Sequence, residues 1–194
     1  MESSIKRKPH TKIKEQTNSI SYRLPSKLLE NLETEARQKN ISQNVLVKQI
    51  LQKYVTWERF AEKIGMFPVP QKILVNLGEN LSHQDVLKII DSLFTTIKDS
   101  VLFIKGGYDL KRTIETLEDY MRNSGMESDH RIEGDLHHFI IQHKMGIHWS
   151  IFTELLLRRV FTEFEKEKEL KFQTTESTVI ATVPLGSDFD EHNY

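Results

Sequence analysis

The stretch Met66-Phe67-Pro68-Val69-Pro70 places two prolines within three residues, and proline both lacks the N–H a helix needs and clashes with the preceding turn. No helix can run through it, so residues 65 to 70 divide the chain into a small N-terminal region and a larger C-terminal one. The small region sets the problem. It holds a strand-like alternation and two helical stretches, and units of about 40 residues usually need disulfides, a metal or a partner chain to fold. The 194-residue sequence has no cysteine, which excludes disulfides, thiolate metal sites and cysteine nucleophiles. No metal-ligating cluster falls in this region either, so a partner chain is what remains.

Ile20, Tyr22 and Leu24 fall on one face of an extended segment, with Ser19, Ser21 and Arg23 on the other, the period of a half-buried strand. Pro25 ends it and suits the first turn of a helix, with Ser26 near the cap. Leu28, Leu29, Leu32 and Ala36 then recur at helical spacing as far as Asn40. Ser42 is a good N-cap for a second helix, whose apolar stripes Leu46, Ile50, Tyr54 and Val47, Leu51, Val55 run on through Trp57, Ala61 and Ile64 to Gly65. Two copies can satisfy this pattern by pairing their strands antiparallel over a shared four-helix core, with Ile20, Tyr22 and Leu24 inward. The outer face of such a ribbon shows Ser19, Ser21 and Arg23 twice.

Charge singles out the same end. Residues 1 to 63 hold 13 Lys/Arg against 7 Asp/Glu, a net of +6, and residues 64 to 194 hold 14 against 21, a net of -7. A basic end on an acidic remainder points to a polyanion as partner of the first part only. Residues 1 to 16 carry Lys6, Arg7, Lys8, Lys12 and Lys14 with little apolar material and are expected to form a disordered arm that adds phosphate contacts, affinity and salt dependence without specificity.

Ser-Ile-Ser-Tyr-Arg-Leu-Pro, a helix, a turn at Ile41-Ser42 and a second helix together resemble the ribbon-helix-helix family of DNA-binding proteins (Arc-, MetJ- and CopG-like) over about residues 18 to 56. The resemblance implies a ribbon that enters the major groove, with Ser19, Ser21 and Arg23 at the base-facing positions. It also implies that Ser42, Gln43 and Asn44, at the start of the second helix, hold a phosphate, as helix N-termini do in general. Arg23 can grip guanine O6 and N7, a contact that contributes about 1–3 kcal/mol of discrimination. The two serine hydroxyls donate or accept and specify no base.

The remainder reads as a second, α+β domain over residues 71 to 184, mainly helical with a small antiparallel sheet. A short helix around Ile73, Leu74 and Leu77 precedes Ser82 with Asp85 three residues on, a variant capping box, and a helix bearing Val86, Ile89, Ile90, Leu93 and Phe94. Val101 to Ile104 fits either a helix or a buried strand. A helix with Ile114, Leu117 and Met121 stops at Gly125. His130 to Glu133 and Leu136 to His143 read as strands joined through Gly134 and Asp135, followed by a helix with Trp149, Phe152, Leu156 and Val160 and a hairpin over residues 169 to 184. Residues 185 to 194 are an acidic tail without period.

Five of the eight histidines, His130, His137, His138, His143 and His148, lie in this domain among Asp129, Glu133 and Asp135, and histidine serves as metal ligand or as acid and base near neutral pH. Spacing argues against a simple site. His137 and His143 share a strand face about 20 Å apart at roughly 3.3 Å per residue, and His138 points the other way. Only His143 and His148, with His130 or an acidic residue of the neighbouring strand as a third, are candidates to converge on a metal. Ser150 has histidines nearby, but there is no nucleophile elbow and no glycine-rich phosphate loop. Trp149, Phe152 and Phe164 read as core. A nickel-responsive repressor joins a ribbon-helix-helix module to an α+β metal-sensing domain, and this chain is similar in layout. It departs in lacking a cysteine ligand and in a longer helical insertion, so no metal residues are carried over.

The sequence therefore predicts an N-terminal ribbon-helix-helix unit, residues 17 to 64, forming an intertwined dimer, and a second domain that senses a small-molecule or metal effector or drives further assembly. The expected function is a homodimeric or tetrameric regulator of transcription, a repressor of prokaryotic type, bound to double-stranded DNA. It is expected to be no enzyme and to need no cofactor. Two alternatives stand beside it. One is an antitoxin-type autorepressor whose C-terminal part binds a partner protein, against which the folded character of residues 71 to 184 counts. The other is a metal-dependent enzyme built on the 130–148 histidines. No apolar run approaches the roughly 20 residues of a membrane span, and residues 1 to 16 lack the apolar centre of a signal peptide, so a cytoplasmic location without membrane contact is expected.

Overall fold

The computed structural model describes residues 18–185 and Phe189. The expected basic arm and the rest of the acidic tail lie outside the described residues. The chain divides into two compact units between Lys48 and Gln49, and each is described by itself.

In the first unit residues 18–25 have no regular secondary structure. The strand expected over residues 19 to 24 is not formed in the single chain, because a strand exists through its hydrogen-bond ladder and no described residue pairs with this segment. Helix α1 spans Ser26–Gln38 behind Pro25, whose missing N–H costs nothing at a helix start. Asn40 follows in the left-handed region at φ 53, and the Ile41 N–H reaches back to the Ala36 carbonyl at 3.0 Å, a bond that closes a helix C-terminus. Helix α2, Gln43–Lys53, belongs to this unit as far as Lys48 and starts with the Ser42 hydroxyl accepting the Val45 N–H at 3.2 Å, the N-cap its sequence predicts. Burial is sparse. Ala36 and Leu46 are 2% exposed, whereas Leu28, Leu29 and Val45 are exposed by 42 to 44%.

Beyond α2 the helix widens to a π turn over Tyr54–Glu58, resumes at Arg59–Ala61 and tightens to a 3-10 turn at Glu62–Ile64. Gly65, at φ 77, stops it. The expected boundary at residues 65 to 70 thus falls inside the second unit. Trp57 explains why: it is buried, with its ring centroid 5.9 Å from that of Tyr120.

The rest of the second unit is α+β. Helix α3 spans Gln71–Glu79, α4 His83–Lys105 and α5 Leu110–Asn123. The capping box at α4 is complete, with the Ser82 hydroxyl accepting the Asp85 N–H and the Asp85 carboxylate accepting the Ser82 N–H. Residues 101 to 104, ambiguous in the sequence, continue α4 to its stop at Gly106, φ 71. Strands β1, Glu127–Glu133, and β2, Leu136–Gln142, form a hairpin. Helix α6, Gly146–Phe164, leads to β3, Lys171–Thr174, and β4, Thr178–Pro184. The sheet is antiparallel throughout, in the order β1-β2-β4-β3.

Alternation along β2 and β4 turns Phe139, Ile141, Val179, Ala181 and Val183 to one face, where all are buried. Helices α5 and α6 cover that face with Ile114, Leu117, Leu157, Val160 and Phe161. Antiparallel sheets commonly bury one face in this way. Among the described residues no helix is long and apolar enough to cross a membrane.

Phe161 has no exposed surface and its ring centroid lies 5.3 Å from that of Phe139. Phe161→Ala is expected to lower the stability of the second unit by about 3–5 kcal/mol. Urea unfolding followed by far-UV dichroism checks it, and an unchanged midpoint would show that this contact does not hold sheet and helix together.

Candidate functional site

In the first unit Ser19, Ser21 and Arg23 are all exposed, and so are the apolar residues between and beside them: Ile20 by 72%, Tyr22 by 63% and Leu24 by 40%. Ser42 and Asn44 are exposed at the start of α2, and Gln43 is half-buried with its side-chain amide toward the Leu29 carbonyl at 3.5 Å. The helix α2 has no acidic residue in its first turn, so the partial positive charge of its N-terminus is uncompensated there. Lys6, Arg7, Lys8, Lys12 and Lys14 lie outside the described residues.

In the second unit the histidines sort into separate environments. The two-residue turn at Gly134 and Asp135 sets Glu133 opposite Leu136 and therefore His130 opposite Phe139. His130 and His137 become diagonal neighbours, with His130 Nε2 at 3.0 Å from His137 Nδ1. The His130 ring stacks on Phe139 at 4.3 Å and 12°, and His137 meets Phe189 edge-on at 5.3 Å. His138, on the opposite face, places Nδ1 at 3.0 Å from the Thr182 hydroxyl.

His143 stands apart from both. It is buried at the end of β2, where its own N–H donates to the Ser177 carbonyl at 3.0 Å. Its Nδ1 accepts the Met145 N–H at 3.2 Å, and its Nε2 lies 2.9 Å from the hydroxyl of Ser150, which has no exposed surface. A backbone N–H can only donate, so Nδ1 is the unprotonated nitrogen and Nε2–H donates to Ser150 Oγ. In that tautomer His143 cannot take a proton from Ser150, and the buried hydroxyl is no activated nucleophile. The pair fastens the start of α6 to the end of β2.

His148 is exposed on α6 beside Gly78. The three residues expected to converge are therefore not brought together: His130 pairs with His137, His143 with Ser150, and His148 faces outward. Among the described residues no group of three His, Asp or Glu side chains is placed to hold a metal ion. The His130–His137 pair was legible in principle, since a two-residue hairpin turn fixes the register. The His143–Ser150 bond was not, because it depends on how α6 packs. Trp149 and Phe164, expected in the core, are partly buried against it. Trp149 also lines a cleft that no sequence pattern announces.

The chain matches no protein-family model, and no curated protein matches it significantly.

Burial pushes the His143 pKa below the ordinary histidine value. Above pH about 6.5 both folded and unfolded states carry it neutral. Below that the unfolded chain takes up a proton that the folded one refuses, so stability falls with pH until the lower folded value is passed. The urea midpoint is expected to drop between pH 7.5 and 5.5, and to drop less in His143→Gln. Parallel slopes in wild type and variant would mean that His143 does not carry the effect.

Proposed function

We propose that the protein is a dimeric, sequence-specific DNA-binding regulator of transcription whose N-terminal unit reads the major groove with a two-stranded ribbon. One observation carries the reading: the apolar residues that a ribbon-helix-helix dimer would bury are present, at the right spacing, and exposed in the single chain. Ile20 and Tyr22 are exposed by 72% and 63%, and Leu28, Leu29, Val45, Ile50 and Leu51 by 42 to 48%. At about 25 cal/mol per Å² of apolar surface removed from water, covering such a set is a sufficient drive for two chains to associate.

Helix geometry agrees with that reading. Pro25 starts α1, Asn40 reverses the chain at φ 53 and Ser42 caps α2, as the resemblance requires of a turn that offers a helix N-terminus to phosphate. In the proposed dimer Ser19, Ser21 and Arg23 face the bases twice. The charge split, +6 over residues 1 to 63, draws this end to DNA while the acidic remainder stays clear. The second unit acts as a ligand-sensing or assembly domain.

A salt-titrated binding assay on duplex DNA from upstream of the gene, run with the full chain, tests this. Wild type is expected to prefer that DNA over random duplex. Arg23→Ala is expected to weaken the preference at least about tenfold, since each copy loses a base contact of roughly 1–3 kcal/mol. Deleting residues 1 to 16 mainly flattens the dependence on salt. Ile20→Asp is expected to lower the mass measured by light scattering from dimer to monomer. A monomeric wild type, or a preference indifferent to Arg23, refutes the proposal.

A further inference from the structure

Periodicity and structure disagree over residues 50 to 64. Ile50, Tyr54, Trp57, Ala61 and Ile64 follow one another at intervals of three or four residues, which would put them on one face of an unbroken α-helix. The helix instead widens to the π turn at Tyr54–Glu58, where the Arg59 N–H reaches the Tyr54 carbonyl five residues back. A π turn takes in one residue more than an α turn, and one residue is about 100° of rotation and about 1.5 Å of rise. The face is therefore split. Trp57 is 7% exposed, with the Tyr120 ring beside it, whereas Ile50, Leu51, Tyr54 and Val55 are exposed by 44 to 54%.

Three contacts hold the wider turn. Lys53 Nζ lies 3.2 Å from a Glu58 carboxylate oxygen. These residues are five apart, a spacing that a π turn brings together and an α-helix sets about 140° apart around its axis. The Thr56 hydroxyl donates to the Gln52 carbonyl at 2.9 Å, a bond of the kind that bends a helix. Trp57 supplies the third hold by its burial beside Tyr120.

None of these is strong enough to silence the α period that the sequence still carries. The Lys53 and Glu58 side chains are 50% and 48% exposed, so water screens their attraction. A segment whose local pattern favours one conformation while its contacts hold another has two arrangements close in free energy.

We propose that residues 53 to 59 are a register switch, exchanging between the π turn and a regular α turn and so rotating Ile50 and Leu51 by about 100° around the helix axis relative to Trp57. Whatever alters the seat of Trp57 on Tyr120 is thereby conveyed to helix α2. That helix continues into the N-terminal unit, and any effect on DNA rests on the reading above. The exchange itself involves residues of the second unit alone.

The chain has no cysteine, so Gln49→Cys with Lys63→Cys, both at exposed positions, takes nitroxide labels at those two sites only. Pulsed electron spin resonance on the full chain, diluted with unlabelled protein so that labels within one chain are read, gives their separation. Rotation of one label around the axis relative to the other changes that separation by a few ångströms. Glu58→Lys, which turns the ion pair into a repulsion, is expected to raise the ratio of a second separation to the first about threefold. Thr56→Ala, which removes the hydroxyl bond, should raise the same second separation. Deletion of Thr56 takes out the extra residue and should show that separation alone. A single, unchanged separation in wild type, Glu58→Lys and Thr56→Ala overturns the proposal. So does a second separation that the two variants do not share or that a folded deletion variant lacks. The two substitutions keep the test decisive even where the deletion does not fold. Mass and DNA preference of the unlabelled wild type report on the proposed function separately, so either idea can fail while the other stands.

Discussion

The second unit depends on one packing arrangement, the buried face of β2 and β4 against α6. Phe161 and Val160 have no exposed surface, and neither have Val179, Ala181 and Val183 across from them. Side chains at such density leave little room for a helix to shift without opening a void, and voids in a core are costly. The placement of α6 is therefore set by its middle and C-terminal turns. Its first turn carries what is chemically distinctive: Lys144 and Met145 before it, Ser150 bonded to His143, and Trp149 with an unpartnered N–H. Met145 and Trp149 tie this turn to the edge of that core, whereas Lys144 is exposed.

The first unit has the opposite economy. Two of its described residues, Ala36 and Leu46, are buried, and the larger apolar residues around them are not. Local signals nonetheless agree with one another at each step, from Pro25 through Asn40 to the Ser42 cap. A stretch whose capping and turn chemistry is well specified, and whose apolar face is left open, is a unit encoded for a surface it does not itself provide. The second unit has open apolar residues as well, Phe67 and Leu77 among them, but these surround a core already complete.

Most of the fold could be read along the chain because its signals are local. The Ser82–Asp85 capping box, the left-handed glycines at 65 and 125, and the two-residue turn at Gly134 and Asp135 each act within a few residues, and all appear where the sequence puts them. Two expectations fared differently. The strand over residues 19 to 24 has the right alternation, yet alternation specifies a face and not a ladder, and the single chain provides no neighbour. The proline-rich stretch at residues 66 to 70 does follow a helix end, set by Gly65, but Trp57 packs beside Tyr120 and assigns the helical segment before it to the second unit. Proline governs the backbone locally, and domain membership follows from burial.

The histidines show where legibility ends. By itself the sequence determined that thiolate chemistry is excluded, that charge is concentrated at one end, and where helices begin and stop, because composition and capping need no distant partner. The hairpin turn at Gly134 and Asp135 was read from the sequence, but the His130–His137 pair that its register sets was not. Only the tertiary structure decided that His143 meets Ser150 and not His148, which tautomer it adopts, and that Trp57, Phe67 and Trp149 enclose a cleft. Those contacts join residues from different elements, and their distances depend on how a helix seats on a sheet, a matter of side-chain packing across the core that no periodicity along the chain records.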